Sequence, residues 1–220
     1  MNTRLHNFEQ LEEIALMQKT QKVAVAAAQS EEVLLAIEYA RKRKIIEALL
    51  VGDDVQIKKI CSKNGIDLSN YIVVDVKDTE EAAIIAVEKV QAGEADLLMK
   101  GLVETADFLK AVLNKEKGLR TERRLCSTVL LESKALDRLV VLADVGTSIA
   151  PDIEEKQSII ENSADVAKAL GISEPKVAIL CAHEQVKIDT MPATVDAALL
   201  SKMNERGQFC KGSIVEGPIS

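Results

Sequence analysis

Lysine, glycine and threonine lie together where a predicted strand gives way to a helix, in the segment ADLLMKGLVETADFLK. Lys100 and Gly101 directly follow the apolar run, and Thr105 could cap the helix that comes next. A lysine, a glycine turn and a hydroxyl at the start of a helix can together hold an anion such as phosphate. A strand, a structural glycine turn and a helix cap would give the same pattern, and this reading is the commoner one. Both interpretations stay open.

A second candidate anion site lies at residues 146–152, between a buried strand and a long amphipathic helix that Gly171 is placed to end. The free amides of a first helical turn and the helix macrodipole favour an anion. Pro151 suits a first turn because its missing N–H is not needed there. The segment therefore predicts an anion site in which Ser148 could contact the ligand.

Hydroxyl and acidic groups at other predicted strand ends are further candidates for ligand contacts. Ser127 and Thr128 lie in a predicted strand, where their hydroxyls could either form structural pairs or donate to a ligand. Glu216, Gly217 and Pro218 are predicted to form a turn after the last strand. In a parallel sheet such turns share the edge at which ligands bind.

Basic side chains cluster near the middle of the chain. Arg120, Arg123 and Arg124 make the densest positive patch, which could be a solvated charge run or a binding surface for a ligand's phosphates. Lys110 lies one and a half turns into the helix that follows Gly101, where it faces solvent unless the ligand is long.

Several chemistries lack the residues they need. The cysteines are scattered without a CxxC pair, which disfavours a zinc cluster or a redox pair. His6 and His183 lie beside no nucleophile motif, so a Ser/His/Asp hydrolase is disfavoured. GxGxxG and Walker motifs are absent from the sequence, which argues against classical dinucleotide binding and ATP hydrolysis.

The elements that must position these residues alternate regularly at first. Four short apolar strands alternate with helices up to about residue 117, which predicts βαβ units and a parallel sheet. Two strands then follow with only a short polar turn between them, and this spacing predicts an antiparallel pair. We therefore expect two domains, residues 1–123 and residues 124–220.

Composition narrows the possible partners. The net charge of -7 repels polyanions, and an aromatic content of 2% leaves few stacking platforms for bases, so we expect neither nucleic acid nor an anionic membrane as a partner. The N-terminus has no apolar signal core and no apolar run is long enough to span a bilayer, which predicts a cytoplasmic protein.

Several segments taken together resemble the phosphotransacylase family, most closely its phosphate butyryltransferases and more distantly its phosphate acetyltransferases. Apart from the Ala95–Lys110 stretch, these segments are STVLLE, ADVGTSIAPDIEEKQSIIENSADVAKALGI, PKVAIL, MPATVDAALLSKM and GSIVEGP. The resemblance covers nearly everything from residue 95 onward and is weaker before it.

The resemblance implies an α/β fold with two three-layer α/β/α domains, like that of isocitrate and isopropylmalate dehydrogenases, usually in a homodimer. The implied reaction is reversible acyl transfer between coenzyme A and inorganic phosphate, with butyryl-coenzyme A and butyryl phosphate as acyl donors. Coenzyme A is then a substrate, and neither a cofactor nor a metal is expected.

The resemblance also assigns residues to the site. It places Lys100, Gly101 and Thr105 on the family's substrate loop, and Ser127 and Thr128 on its cleft strand. Three further substrate contacts are expected at the last strand, from Glu216, Gly217 and Pro218. Lys110 and Arg120 are the expected coenzyme A contacts, although Lys110 replaces an arginine of the acetyl-specific branch and loses bidentate phosphate binding.

The last strand and the turn GPIS have no helix to cover them, so the sequence predicts a C-terminally incomplete second domain. In the family, a Ser-Arg pair and a catalytic Asp follow a GP turn of this kind, so these groups are expected beyond Ser220. We therefore expect impaired activity of the 220 residues. The alternatives are a non-catalytic module that senses acyl-coenzyme A or acyl phosphate, and a dehydrogenase of related fold.

Overall fold

The computed structural model describes residues 5–220. Within that range the chain forms seven α-helices and eight β-strands. The helices are α1 (Phe8–Leu16), α2 (Glu31–Lys42), α3 (Asp54–Asn64), α4 (Thr79–Gln91), α5 (Thr105–Val112), α6 (Ile153–Ala169) and α7 (Pro192–Glu205). The strands are β1 (Gln21–Ala26), β2 (Ile46–Gly52), β3 (Ile72–Asp75), β4 (Leu97–Lys100), β5 (Thr128–Ser133), β6 (Arg138–Ala143), β7 (Lys176–Leu180) and β8 (Ile214–Ile219). In the part of the chain described, every helix is too short or too polar to cross a membrane.

The chain divides into two compact units. The N-terminal unit runs from Glu13 to Thr121, and the C-terminal unit comprises residues 122–220 together with residues 5–12. Those early residues belong with the second half because the amide of Leu139 donates to the carbonyl oxygen of Leu5 at 3.0 Å. The domain boundary expected between residues 123 and 124 is not tested by this division and stays a prediction.

The N-terminal unit is built on a four-stranded parallel sheet with the strand order β3-β2-β1-β4. One face of the sheet packs against α4 and α5, and the other packs against α2 and α3. Because β1 is covered on both faces, its residues 23–26 form a continuous apolar run, as in other buried parallel strands. The parallel sheet and the layered α/β architecture were both predicted, and both are confirmed.

A charged residue is buried at the edge of this unit. Glu38 of α2 is 6% exposed and accepts hydrogen bonds from Arg41 at 2.8 Å and from the Tyr71 hydroxyl at 2.5 Å. Hydrogen bonding to Arg41 outweighs burial and lowers the pKa of Glu38 to about 2. The carboxylate is therefore ionised and paired, as a buried charge must be.

The C-terminal unit contains two strand pairs. β5 and β6 form the predicted antiparallel pair, with Val129 opposite Leu142, while β7 and β8 are parallel, with Val177 opposite Val215. The core of the unit includes Ile160 and Ala164 of α6 and Leu200 of α7. The fold is thus α/β, with mostly parallel sheet and one antiparallel pair.

Candidate functional site

Lys100 lies where the strand order of the N-terminal sheet reverses. β4 pairs with β1 on the side opposite β2, and ligands of open α/β sheets bind in the crevice beyond the carboxyl ends of such strands. Lys100 is the last residue of β4 and lies opposite Ala26. Its side chain is exposed, and its Nζ lies 3.4 Å from the carbonyl oxygen of Gly101. The ammonium group is therefore placed to meet an anion at this edge.

Gly101 has a structural reason to be glycine. A Cβ atom at this position would lie 2.4 Å from the carbonyl oxygen of Ala27 and 2.7 Å from that of Ala26. The amide of Gly101 donates to Ala26 at 2.8 Å, and the amide of Leu102 donates to Ala27 at 2.7 Å. These two amides therefore extend the sheet and are not donors for an anion. Of the two interpretations of the glycine, the structure supports the packing role.

Thr105 is not the helix cap that the sequence predicted. It is the first residue of α5, and the N-cap is Glu104, whose side chain makes no capping hydrogen bond. The extended backbone of Glu104 sets the helix start one residue earlier than the hydroxyl pattern indicates. The first-turn amides of α5 are thus left without a side-chain cap, and they lie close in sequence to Lys100. An anion at this segment could therefore contact the ammonium group of Lys100 and the first-turn amides of α5.

Lys110 already has a partner within the N-terminal unit. Its ammonium group donates to the carboxylate of Glu80 in α4, and this hydrogen bond raises the pKa of Lys110. Both side chains are exposed, so a ligand phosphate could compete for the lysine. Arg120 is also exposed, eight residues after α5 ends. Neither contact with coenzyme A is tested by the structure.

Ser127 belongs to a hydrogen-bond network around a carboxylate that sequence analysis missed. Asp144 follows β6, and its Oδ1 accepts from the amide of Ser127 at 2.9 Å and from the Ser127 hydroxyl at 2.6 Å. Its Oδ2 accepts from the amide of Ser148 at 2.9 Å. The Ser127 Oγ also accepts from the amide of Val145 at 2.8 Å. One carboxylate thereby ties the start of β5 to the loop after β6.

The network keeps Asp144 ionised. Burial alone would raise its pKa, but hydrogen bonds from Ser127, Ser148 and Thr147 outweigh burial and lower the pKa to about 2. A carboxylate of this acidity is a poor acceptor for the proton of a thiol, whose ordinary pKa is about 8.5. Its hydrogen bonds hold the start of β5 against the loop after β6. The sequence did hold a signal for it, because an acid that directly follows a buried strand lies at a strand end.

Two strand assignments are corrected. Ser127 precedes β5, which begins at Thr128 opposite Ala143, because the amide of Ser127 bonds to Asp144 in place of a strand partner. The turn predicted at Glu216–Pro218 is part of β8, since pairing with β7 continues to Ile219. Glu216 is exposed, and its Oε1 accepts from the amide of Gly217 at 3.1 Å.

Gly217 is buried between β7 and α7. A Cβ atom there would lie 2.8 Å from the Cβ of Ile179 and 3.2 Å from that of Ala197. The strand–helix contact therefore requires a glycine, and Pro218 follows it through a cis peptide bond.

The structure does not support an anion site at residues 146–152. Helix α6 begins with a capping box in which Asp152 accepts from the amide of Glu155 at 2.8 Å and the Glu155 side chain accepts from the amide of Asp152 at 3.1 Å. Pro151 precedes the N-cap and is not in the first turn. Carboxylates of the protein thus already occupy these donors, as Asp144 does at Ser148. Gly171, by contrast, follows the C-cap Leu170 with a φ of 87°, as predicted.

The basic patch also binds within the protein. Arg123 pairs with Asp165 and Glu161 of α6, and Arg124 pairs with Glu155. These ion pairs attach the segment before β5 to the acidic face of α6. Among residues 5–220, no group of three or more His, Cys, Asp and Glu side chains could hold a metal ion.

Comparison with known sequences extends over most of the chain. Residues 76–220 match the sequence model of a family described as "Phosphate acetyl/butaryl transferase". The phosphate butyryltransferase of Clostridium acetobutylicum is 48% identical over 90% of this chain and 65% of its own length. That of Clostridium beijerinckii is 45% identical over 97% of this chain and 70% of its own length. The chain thus spans about two thirds of these relatives.

Solved structures share the fold. A branched-chain phosphotransacylase from Enterococcus faecalis has a TM-score of 0.71 at 25% identity, and the match covers 91% of this chain and 69% of that one. A phosphotransacetylase from Streptococcus pyogenes has a TM-score of 0.74 at 20% identity, with 95% and 71% coverage, and is similar in fold. With the sequence matches, these findings show that the chain belongs to the phosphate acetyl/butyryl transferase family.

Proposed function

We propose that this chain acts in the reversible transfer of an acyl group, preferably butyryl, between coenzyme A and inorganic phosphate. The observation that carries the proposal is the match to two phosphate butyryltransferases at 48% and 45% identity over 90% and 97% of the chain. The solved relative from Enterococcus faecalis, described as a branched-chain phosphotransacylase, supports the same class of reaction.

The reaction needs a thiolate, an acyl phosphate and a site for the departing phosphate. The thiol of coenzyme A loses its proton, its sulfur forms a bond to the acyl carbon, and the bond from that carbon to the phosphate oxygen breaks with release of phosphate. Positive groups and N–H donors stabilise the charge on the phosphate and on the carbonyl oxygen. The exposed ammonium group of Lys100 and the start of α5 could bind this phosphate in the N-terminal unit.

The remaining site residues have unequal support. We propose that Thr105 contributes its hydroxyl beside Lys100, and that Gly101 and Gly217 keep strands close to their neighbours. In the C-terminal unit, the proposed substrate contacts are Ser127 and Thr128. The hydroxyl of Ser127 is hydrogen-bonded to Asp144, and Thr128 begins β5 opposite Ala143. Glu216 and Pro218 belong to the same proposal, as do Lys110 and Arg120 for coenzyme A.

We extend the proposal to assembly and location. A homodimer in the cytoplasm is proposed because the resemblance to the phosphotransacylases implies a dimer and because coenzyme A is an intracellular substrate. Sedimentation of the purified chain would test the dimer, and a monomer across the working concentration range would contradict it.

An assay of thiol release tests the activity. The purified 220 residues are incubated with butyryl-coenzyme A and phosphate, and free coenzyme A is measured with a thiol reagent. Release that depends on phosphate supports the proposal. Absence of both turnover and binding would contradict it.

A second function, binding without turnover, is the alternative that the sequence leaves open. Calorimetry with butyryl-coenzyme A, acetyl phosphate and coenzyme A distinguishes the two. Binding in the absence of phosphate-dependent thiol release supports a sensing module, and it also agrees with the impaired activity that the sequence predicts.

A further inference from the structure

The chain turns back on itself directly after α5. The amide of Leu119 donates to the carbonyl oxygen of Val112, the last residue of the helix, at 2.7 Å. The backbone therefore returns to the end of α5 after a short excursion, and we call residues 113–119 the return loop. Helix α4, helix α5 and this loop all belong to the N-terminal unit.

Asn114 holds the return loop from inside. Its Oδ1 accepts from the amides of Glu116 at 2.9 Å and Lys117 at 3.0 Å. Its carbonyl oxygen accepts from the amide of Gly118 at 3.1 Å. Asparagine, aspartate and serine suit such a position, because their short polar side chains reach amides two and three residues ahead. One residue thus binds three successive amides of the loop.

Gly118 is required by the tightness of the return. A Cβ atom at this position would lie 2.4 Å from the carbonyl oxygen of Asn114 and 2.5 Å from that of Val112. Both neighbours are backbone atoms, which cannot move aside as the end of a flexible side chain can. The close approach therefore favours glycine alone and fixes the course of the chain into Leu119.

The return loop is also attached to its surroundings. The ammonium group of Lys117 lies 3.0 Å from the carboxylate of Glu88 in α4, and the side chain of Gln91 donates to the carbonyl oxygen of Glu116 at 3.3 Å. Leu119 is partly buried against the apolar core of the unit. The backbone that leads out of the loop is thus held by hydrogen bonds, an ion pair and apolar contacts.

Arg120 follows this anchored segment, and its guanidinium group is available to a ligand. Of the three arginines between Glu13 and Thr121, Arg41 pairs with Glu38 and Arg43 donates to the hydroxyl of Tyr39. Arg120 is exposed and forms no hydrogen bond or ion pair within the part of the chain that the structure describes. A guanidinium group can bind a phosphate through two parallel N–H···O bonds.

We propose that the return loop positions Arg120 for a phosphate group of coenzyme A, and that Asn114 is the residue on which this positioning depends. The inference rests on the proposed function, since it takes coenzyme A as the ligand. Holding the backbone of a long side chain in place removes part of the conformational entropy that binding costs. Asn114 contacts no substrate itself and acts through Arg120.

Calorimetry with coenzyme A and the purified chain tests the inference. Arg120→Gln removes the charge and should weaken binding by about tenfold or more. Asn114→Ala leaves two amides without their acceptor and should weaken binding by about three- to tenfold. Asn114→Ser should recover most of this loss, because serine accepts from such amides about as well as asparagine does. Asn70→Ala, in another exposed turn of the same unit, is the matched control and should bind like the unmodified chain.

A double variant separates positioning from a general loss of structure. In the Arg120→Gln background, Asn114→Ala should change the affinity by less than about twofold, because its effect passes through the guanidinium group that is already missing. An equal loss with and without Arg120 would show a structural role only and would overturn the inference.

Dephospho-coenzyme A identifies which phosphate Arg120 contacts. Loss of the Arg120→Gln effect with this probe assigns the contact to the ribose 3′-phosphate, and persistence of the effect assigns it to the diphosphate. Coenzyme A that binds the unmodified chain and Arg120→Gln equally well overturns this inference alone. Absence of both coenzyme A binding and thiol release overturns the proposed function along with it.

Discussion

At the scale of single residues, one carboxylate organises a hydrogen-bond network in the C-terminal unit. Asp144 accepts hydrogen bonds from Ser127 and Ser148, on either side of a strand pair. The Ser127 hydroxyl has its shortest contact, 2.6 Å, with this carboxylate. The same hydroxyl also lies 2.9 Å from the carbonyl oxygen of Val145, so both acceptors that its proton reaches belong to the protein.

Replacing Asp144 should loosen this network. In Asp144→Asn, the amide nitrogen cannot accept a hydrogen bond, so either the Ser127 or the Ser148 contact is lost. We expect the free energy of unfolding to fall by about 1–3 kcal/mol, measured by urea titration at neutral pH. Asp189→Asn, which removes the same charge from an exposed turn, should change it by less than about 0.5 kcal/mol. Equal effects of the two variants would contradict the assigned role.

Lys100 should affect binding without affecting stability. Lys100→Met keeps the length of the side chain and removes its charge, and the side chain is exposed. We expect the affinity for acetyl phosphate, measured by calorimetry, to fall by about tenfold, since one charge-assisted hydrogen bond is lost. Lys59→Met, on the exposed side of α3, is the matched control. Unchanged affinity in Lys100→Met would remove Lys100 from the site.

The residues that sequence analysis found and missed differ in the range of their interactions. Lys100 was predicted because it comes at the end of an apolar run, which is a local pattern in the sequence. Asp144 was missed because its partners Ser127 and Ser148 become visible only when β5 and β6 pair, and Ser127 is 17 residues away. Contacts of this kind are set by tertiary structure, so the sequence shows the position of Asp144 after a buried strand but does not show its partners.

At the scale of elements, the close approach of β1 and the segment after β4 restricts what Gly101 can be. Gly101→Ala would place a Cβ atom against two backbone carbonyl oxygens, at 2.4 and 2.7 Å, and backbone cannot yield as a side chain can. We expect a loss of about 1–3 kcal/mol in the free energy of unfolding, measured by urea titration.

Gly93 is the control for Gly101, because its backbone conformation constrains it and neighbouring atoms do not. Gly93 has a φ of 73°, and no neighbouring atom of the described residues lies within 4 Å of the position that an added methyl group would take. Gly93→Ala therefore tests backbone conformation alone, and it should cost about 1 kcal/mol. A Gly101→Ala variant as stable as the unmodified chain would show that the sheet can shift to accept the methyl group.

Elements were predictable where the pattern is local. The parallel strands β1–β4 and the antiparallel pair β5–β6 were predicted from apolar runs and turn lengths. The boundaries were not, since β8 continues through Glu216–Pro218 by pairing with β7, and α5 begins at Thr105 with Glu104 as its cap. Strand pairing and backbone angles determine where these elements begin and end. Pro218 and Thr105 indicate different boundaries when the sequence is considered alone.

At the scale of the whole molecule, each unit contains, among the residues described, one carboxylate whose pKa is lowered to about 2. Glu38 lies in the N-terminal unit and Asp144 in the C-terminal unit, each with a pKa of about 2 against ordinary values of 4.5 and 3.8. Because each folded-state pKa lies below the unfolded one, the stabilisation is complete above the ordinary values. It is lost as the pH falls from about 4.5 to about 2.

Acid should therefore destabilise both units in one pH window. We expect the free energy of unfolding, followed by circular dichroism in urea, to decrease as the pH is lowered through this window. Glu38→Gln should weaken the pH dependence of the N-terminal unit, and Asp144→Asn that of the C-terminal unit. A dependence that neither substitution alters would assign acid lability to other groups.

The division into two units also determines which unit the intrinsic fluorescence of the chain reports on. The chain has no tryptophan and two tyrosines, Tyr39 and Tyr71, and both lie between Glu13 and Thr121. Intrinsic tyrosine emission therefore comes from one unit alone, whereas circular dichroism averages the helices of both. Recorded on the same sample, the two signals test whether the two units unfold in one transition. Coincident transitions would mean that the units unfold together, and separated ones would give the order in which they unfold.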